Sequence, residues 1–544
     1  MHADPVAVLQ RAFGYPGFRP GQEDLVRSVL AGRDALGVLP TGGGKSVCYQ
    51  VPALIFDGLT LVITPLVSLM EDQVVRARAI GLGADCLSGT QSTAARREVA
   101  QRVRAGRTRV LFVSPERLDV TAFGDLLAAV RVDLVAVDEA HCISEWGHDF
   151  RPSYRRIGRL RDALSCPMLA LTASATPEVR ADILTNLGLE RPLEVVRSFD
   201  RPNLWWAVAS GGTPRERIRA VRRVVQATRG VVIVYAPTRR AVETVRDHLA
   251  SCGHRCDAYH AGLRGPERSL VQERFMSGVS RVVAATNAFG MGIDKADVRT
   301  VVHLQLPATL ESYYQEAGRA GRDGAPSMCV AFHARSDRAL AAGFVDRTHP
   351  RIRELRRLHR VLRRVADERG VAVVDHPAVV RALGSLPREW MGGEPVGPLA
   401  ALERVGALQR LPPAVQPGSS ACPSAGSSSG SWPGSTSSGP SRDLARSNGR
   451  GTSVSGTERS GEGSSNGRVG VRSSVDFAAA TRLRDRSLTK LRAVQRFARS
   501  RGCRRNALLR YFGESSSDPC GRCDGCKWDF RAGLPDVDGS ISDQ

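Results

Sequence analysis

Pro40-Thr41-Gly42-Gly43-Gly44-Lys45-Ser46 follows the apolar run 35–39 and precedes a stretch, to about residue 53, that can form a helix. Strand, glycine loop, Lys-Ser and helix in that order make a phosphate-binding loop. Successive backbone N–H groups and the helix N-terminus surround an anion there. Thr41, Gly42 and Gly44 supply the cradle, Lys45 reaches the β- and γ-phosphates, and Ser46 holds Mg²⁺. Leu39 stands where the usual pattern has glycine, and a glycine-rich surface turn is the competing reading.

A second segment gives the loop its meaning. The apolar run 134–137 ends in Asp138-Glu139-Ala140-His141, so a buried strand delivers two carboxylates to its tip. Asp138 is the candidate Mg²⁺ ligand. Glu139 is the candidate base for the attacking water, and His141 links the nucleotide side to whatever lies over it. The loop and the acidic tip together read as a nucleotide hydrolase.

Composition bounds the partners. The 544 residues suggest about three or four domains, and 42% are hydrophobic, enough for sizeable cores. The formal charge of +22 favours a polyanion, nucleic acid before membrane. No run of 18 apolar residues suggests a membrane span, and no signal peptide is expected. Twelve cysteines are too sparse for a disulfide scaffold, which suggests a reducing compartment, cytoplasm or nucleoid.

In the first α/β region, residues 1–206, Gln22 is a candidate reader of the adenine edge, because an amide offers donor and acceptor together. An ordinary surface glutamine is the alternative. Strand ends at Thr64 and Ser114 suit a phosphate backbone or simple helix capping. The loop Cys142-Ile143-Ser144-Glu145-Trp146-Gly147-His148-Asp149-Phe150-Arg151-Pro152 offers Trp146 and Phe150 as base-stacking platforms and Arg151 as a phosphate contact. Core packing is the alternative for both aromatics. Ser174 and Thr176, after the strand 168–171, can sense the γ-phosphate or cap the next helix.

Residues 199–206 read as a connector. A second α/β region, 207–345, carries no phosphate loop. It offers Asp294 after a Gly-rich turn, as a relay of nucleotide state. Arg319 and Arg322 are three apart and read as sharing one helical face. As isolated residues these arginines are surface charges; beside an incomplete nucleotide site they are arginine fingers.

The motif order resembles superfamily 2 helicases and, in detail, the RecQ DNA helicases. The resemblance covers residues 8–335 and rests on Phe13-Gly14, Phe18-Arg19, Gln22, residues 41–46, Thr64-Pro65-Leu66, the Asp138–His141 box with its aromatic loop, residues 171–176, 289–295 and 315–324. It implies two tandem RecA-like parallel-sheet domains. It also implies ATP- and Mg²⁺-dependent unwinding, moving 3′ to 5′ on single-stranded DNA, with tailed or forked duplexes as substrates in recombination and repair. The 146–151 loop would couple DNA to hydrolysis. Single-strand-binding or recombination proteins are expected partners, and a monomer is expected. A translocase or annealing remodeler with weak unwinding is one rival; a zinc-containing DNA-binding module using ATP as a switch is another.

Beyond the motor, 346–415 reads as a basic accessory unit, helical or winged-helix-like. Residues 416–475, with 31 of 60 Ser or Gly, read as a flexible linker. Residues 476–530 carry Cys503, Cys520, Cys523 and Cys526, four thiolates suited to a closed tetrahedral Zn²⁺ site. Redox chemistry is the alternative. The stretches Cys503-Arg504-Arg505 and Cys520-Gly521-Arg522-Cys523-Asp524-Gly525-Cys526 resemble the RecQ zinc module, with Arg504 and Arg505 as candidate phosphate contacts. Residues 531–544 are a tail. In typical family members the zinc module directly follows the second motor lobe and a winged helix comes after it. Here no later winged helix is expected, and no residue inherits the family's strand-separating hairpin.

Overall fold

Most strands of the two α/β regions are short apolar runs with both faces buried, the pattern of parallel sheets covered by helices on either side. The computed structural model describes residues 3–65, 67–89, 91–147, 149–290, 295–383, 398–410, 468–473 and 475–526. Two compact units emerge, 1–350 with 478–544, and 351–477.

Within the first unit the first lobe contains β1 (Ala35–Val38), β2 (Leu59–Ile63), β3 (Ala84–Leu87), β4 (Val110–Val113), β5 (Val132–Val137), β6 (Met168–Thr172) and β7 (Leu193–Val196). They form one sheet in the order β3-β4-β2-β5-β6-β1-β7, and every pairing is parallel. The phosphate loop leaves β1, Thr64 leaves β2, Asp138 leaves β5 and Ser174 follows β6. All four lie at carboxyl ends of strands, where open α/β sheets bind ligands. β3 escapes an apolar-run reading because it contains Asp85. That buried carboxylate is held by Arg78 at 2.7 Å, Arg102 at 2.9 Å and the Thr108 hydroxyl at 2.5 Å.

The second lobe contains β8 (Leu204–Ser210), β9 (Val231–Tyr235), β10 (Cys256–Tyr259), β11 (Val282–Ala285), β12 (Val298–His303) and β13 (Ser327–His333). Their order is β10-β11-β9-β12-β13-β8, again all parallel. The connector expected over 199–206 is therefore shorter. Leu204, Trp205 and Trp206 already pair with Ser327, Met328 and Cys329, because their side chains have a sheet face to bury on.

The first unit also contains the long helix Phe477–Arg499, whose first residue falls in the second unit, and the helix Arg504–Tyr511 follows it. Cys523 makes a parallel bridge to Trp206, so the cysteine region is fastened to the edge of the second lobe's sheet.

The second unit contains the helix Ile352–Val365, β14 (Val371–Val373), the helices Pro377–Leu383 and Pro398–Arg404, β15 (Leu408–Arg410) and β16 (Arg468–Val471). The three strands make an antiparallel sheet in the order β14-β16-β15. Among the described residues the elements run helix–strand–helix–helix–strand–strand, an order that agrees with the winged-helix-like expectation. Its first helix buries Leu355, Leu358, His359 and Leu362 and exposes Arg353, Arg356, Arg357, Arg360, Arg363 and Arg364.

This corrects three boundaries. The accessory unit continues past 415, because its central strand is β16, and the expected linker ends before 468 rather than at 475. Residues 346–350 belong with the first unit. The rest of the Ser/Gly-rich stretch, to 467, and the tail 531–544 lie outside the described residues.

Candidate nucleotide and nucleic-acid site

The phosphate loop is shaped by glycine backbone. Gly42 and Gly44 take φ of 80° and 68°, and a Cβ on Gly43 would lie 2.8 Å from the Pro40 carbonyl. Ser46 is the N-cap of the helix Val47–Ile55, and its side chain accepts no cap hydrogen bond. The Thr41 hydroxyl is buried without a hydrogen-bond partner. An anion with its metal ion fits such a cradle: a turn closed to side chains, a helix start, a lysine and an orphaned hydroxyl.

Gln22 is buried, and its amide nitrogen donates to the Gly43 and Gly44 carbonyls at 2.9 Å each. Its oxygen accepts from the Arg19 N–H at 2.8 Å. Arg19 also donates to the Gly42 carbonyl. In this arrangement the amide braces the loop.

At the tip of β5, burial and the charge of Glu139 push the Asp138 carboxyl up to about 6, against the pull of Lys45. A buried acid facing a lysine is suited to a divalent cation, which would restore its charged form. Glu139 sits in the left-handed region at φ 47°, ψ 45°. A non-glycine residue held there costs about 1–3 kcal/mol, and the surroundings fix it. Its Oε2 lies 3.3 Å from His141 Nδ1, which is 2.9 Å from the Thr172 hydroxyl at the end of β6. The Tyr154 hydroxyl, which sequence inspection passed over, donates to the Asp138 carbonyl at 3.0 Å.

The second lobe closes this site. Arg322 lies on Gly42, where an added Cβ would be 3.2 Å from its Cγ. A Cβ on Gly318 would approach the Thr41 hydroxyl to 3.5 Å. Gln315 donates to the Ser174 hydroxyl across the cleft at 3.0 Å. The expectation that Arg319 and Arg322 share a helical face does not hold. The helix Leu310–Ala317 ends before them, and Gly321 turns the chain at φ 55°. Arg319 is buried and donates to the Gly290 carbonyl within its own lobe, so Arg322 alone of the pair meets the phosphate loop.

The turn is shaped by two connector residues. Arg201 donates to the carbonyls of Gly318, Ala320 and Gly321 at 2.9–3.1 Å, and Asn203 donates to Gly321 and Ala325 at 2.8 and 3.0 Å. Asp294 lies outside the described residues. Thr176 is buried at the N-cap of the helix Pro177–Leu187.

In the aromatic loop, Arg151 is bound by Asp149 at 3.0 Å and donates to the Pro65 carbonyl at 3.1 Å. Trp146 is 37% exposed, the larger exposure of the two platforms, and Phe150 is half-buried. A guanidinium covers each ring: Arg155 lies 5.2 Å from the Phe150 centroid and Arg486 lies 4.1 Å from the Trp146 ring. Arg486 belongs to the helix that precedes the cysteines, and no sequence signal pairs it with Trp146.

The four cysteines converge, with all their Sγ atoms within 4.8 Å of one another. Separations of 3.4 Å for Cys523–Cys526 and 4.0 Å for Cys503–Cys523 and Cys520–Cys526 bracket the ~3.8 Å edge of a tetrahedral Zn–thiolate site. Hydrogen bonding from Cys520 draws the Cys523 thiol down to about 5. The set fits a structural zinc ion. The expected phosphate contacts of Arg504 and Arg505 do not hold. Arg504 is buried against Asp524 at 2.7 and 2.9 Å, and Arg505 pairs with Asp200 of the connector. Arg504 is spent inside the module, and Arg505 docks it on the connector. Phe512 stacks on Phe199 at 4.3 Å, and Glu514 accepts from the Ser198 hydroxyl at 2.7 Å.

A phosphate loop with an acidic strand tip in one parallel-sheet lobe, completed by an arginine turn from a second such lobe, defines a two-lobed helicase core of superfamily 2. Three family descriptions match in sequence: DEAD/DEAH box helicase over residues 19–183, helicase conserved C-terminal domain over 216–324, and RecQ zinc-binding over 469–527. A probable ATP-dependent DNA helicase RecS of Bacillus subtilis is 41% identical over 362 residues, 66% of this chain and 73% of that protein. The chain belongs to the RecQ family of ATP-dependent DNA helicases.

The ATP-dependent DNA helicase RecQ of Pasteurella multocida is 46% identical over 334 residues, 61% of this chain. The chain spans about half the length of that relative and of its Haemophilus influenzae counterpart, 52% and 54%. Among solved structures, the helicase Lhr of Mycobacterium smegmatis bound to single-stranded DNA and AMP-PNP shares the fold. Its TM-score is 0.51 at 22% identity, over 71% of this chain and 57% of that one. No described helix is long and apolar enough to cross a membrane.

Proposed function

We propose that this chain is an ATP-dependent motor that moves 3′ to 5′ on single-stranded DNA and separates tailed or forked duplexes in recombination and repair. The observation that carries the reading is a nucleotide cradle in one lobe reached by Arg322 and Gln315 of the other. Lys45 and the backbone of Thr41, Gly42 and Gly44 grip the phosphates. Ser46 and Asp138 would hold Mg²⁺, which would supply charge neutralisation at the phosphates. Glu139 orients and deprotonates the attacking water, and Arg322 neutralises charge that develops in the transition state. Arg319 acts from behind, through the Gly290 carbonyl. Asp294 relays nucleotide state between the lobes, and Gln22 exchanges loop carbonyls for the adenine edge as ATP enters.

Lobe closure over ATP and parting after hydrolysis move a strand held on Trp146, Phe150 and Arg151. His141, Ser174 and Thr176 carry the state of the nucleotide toward that strand. Cys503, Cys520, Cys523 and Cys526 would hold zinc, which would stabilise the fold of the module. The basic first helix of the unit 351–477 faces duplex phosphates. A monomer suffices, because one chain supplies both halves of the nucleotide site. Single-strand-binding and recombination proteins on the same DNA are its partners, and the nucleoid is its place of work.

The direct test is ATP hydrolysis with single-stranded DNA, single-stranded RNA or neither. Stimulation by DNA beyond RNA is the expected result. Hydrolysis indifferent to nucleic acid contradicts the reading and favours a nucleotide switch.

A further inference from the structure

Glu145 holds two arginines, and each of them covers one aromatic ring of the 142–152 loop. Arg155 bonds its Oε1 at 2.6 Å and lies over Phe150. Arg486 pairs with its Oε2 and lies 4.1 Å from the Trp146 ring. Glu145 and Arg486 are only 14% and 20% exposed, so the pair is shielded from solvent and salt. A nucleobase inserted between Trp146 and Arg486 needs room for two ring–ring spacings, and the gap holds one. The indole face turned toward Arg486 is therefore already taken.

One turn further along the same helix, Lys490 makes a 2.7 Å bond to Glu311, a pair 11% and 3% exposed. Glu311 lies in the first turn of Leu310–Ala317, the helix that carries Gln315 to Ser174 and leads into the Arg319–Arg322 turn. Positions i and i+4 share a helix face. One face of Phe477–Arg499 thus grips the DNA-facing loop of the first lobe and the helix before the arginine turn in the second.

We propose that Arg486 is a gate on Trp146, pinned by Glu145, that a DNA strand must displace before a base can stack. Displacement loosens the first-lobe end of a strut whose other end, Lys490, stays on the arginine-bearing lobe. Strand entry and lobe closure are thereby linked through the zinc-module helix. Arg486 is a positioning residue and touches no reacting atom. The inference rests on the proposed DNA-stimulated ATPase.

The test is steady-state ATP hydrolysis by the full chain against the concentration of an oligothymidylate of about 20 nucleotides. Wild type, Arg486→Ala, Arg486→Lys and Glu145→Gln are compared. Removing a cation–π contact of this kind should lower the half-saturating DNA concentration by about threefold or more. Hydrolysis without DNA should rise, and the rate at saturating DNA should stay within about twofold. Arg486→Lys, which keeps the charge and loses the planar stack, falls between. Glu145→Gln shifts the same way without truncating the arginine, so the gate remains testable if Arg486→Ala loses zinc or melts early. A half-saturating concentration unchanged or raised in Glu145→Gln, or in folded Arg486→Ala, overturns the gate. A wild type that DNA does not stimulate overturns the proposed function instead, and the gate with it.

Discussion

Arg322 of the second lobe packs on Gly42 of the first so closely that a methyl group on that glycine would sit 3.2 and 3.3 Å from the arginine's Cγ and Cδ. Gly42 also holds φ at 80°, so it answers two demands at once, a left-handed turn and a bare face for a guanidinium stem.

Arg322→Ala is expected to lower DNA-stimulated kcat by about 10²-fold or more, since arginine fingers in related chemistry are worth at least that. KM for ATP should stay within a few-fold. Arg319→Ala should instead lower Tm along with activity, because Arg319 supports Gly290 inside its own lobe. Steady-state kinetics with thermal melts separates the two. Equal loss of kcat with unchanged Tm in both variants would contradict the division of labour.

Glu139, the proposed base, also holds a left-handed backbone. Glu139→Gln should reduce hydrolysis by about 10²–10⁴-fold with Tm unchanged, as expected when a general base is lost. Glu139→Gly should be equally inactive yet more stable, by up to about 1 kcal/mol, because glycine accepts the left-handed backbone that glutamate endures. Denaturant unfolding measures it, and a destabilised glycine variant would mean the backbone is not strained.

Lys490 and Glu311 form a buried pair between the zinc-module helix and the second lobe. Removing one partner of such a pair typically costs roughly 3–5 kcal/mol, while replacing both by apolar residues restores much of it. Lys490→Met alone should destabilise the first unit strongly. Lys490→Met with Glu311→Leu should recover most of the loss. A double-mutant cycle with no coupling would show that the contact is not a working one.

Zinc removal has a readable signature. Cys48, Cys256 and Cys329 are buried, which pushes each thiol up to about 12, so they resist alkylation at pH 8. Chelation should add Cys503, Cys520, Cys523 and Cys526 to the alkylated set, as mass spectrometry would show. It should also loosen the Phe512–Phe199 and Arg505–Asp200 contacts, with a fall in Tm. Unchanged alkylation after chelation, with reduced thiols, would contradict a zinc site.

The Ser/Gly-rich stretch lies between two paired strands, with Arg410 opposite Val469 and Leu408 opposite Val471. Replacing 416–463 by a short turn should leave the unit folded and stabilise it by about 1–2 kcal/mol, since closing a shorter loop costs less entropy. Loss of folding would mean that stretch contributes structure.

The sequence legibility followed locality. Phosphate loop, acidic tip and cysteines announce themselves within a few residues, and strand ends placed Thr64, Asp138 and Ser174 correctly around one sheet edge. What stayed hidden depends on partners far away in the chain. Arg319 and Arg322 look like one helical face until Gly318 and Gly321 end the helix. Arg468–Val471 looks like the end of a linker because its partners are Val371–Val373 and Leu408–Arg410, with no local pattern of their own. Arg504 and Arg505 look like phosphate ligands until Asp524 and Asp200 claim them. Trp205 and Trp206 look like a connector because a strand at a sheet edge carries no alternating signal once one face meets the zinc module.

The central claim is a motor that turns ATP hydrolysis into strand separation. Its most direct test is ATP-dependent unwinding of a duplex with a 3′ single-stranded tail, beside a 5′-tailed duplex and a Glu139→Gln control. Unwinding of the 3′-tailed substrate alone, lost in the control, is the expected result. DNA-stimulated hydrolysis with no strand separation would contradict it and leave a translocase or remodeler in place of a helicase.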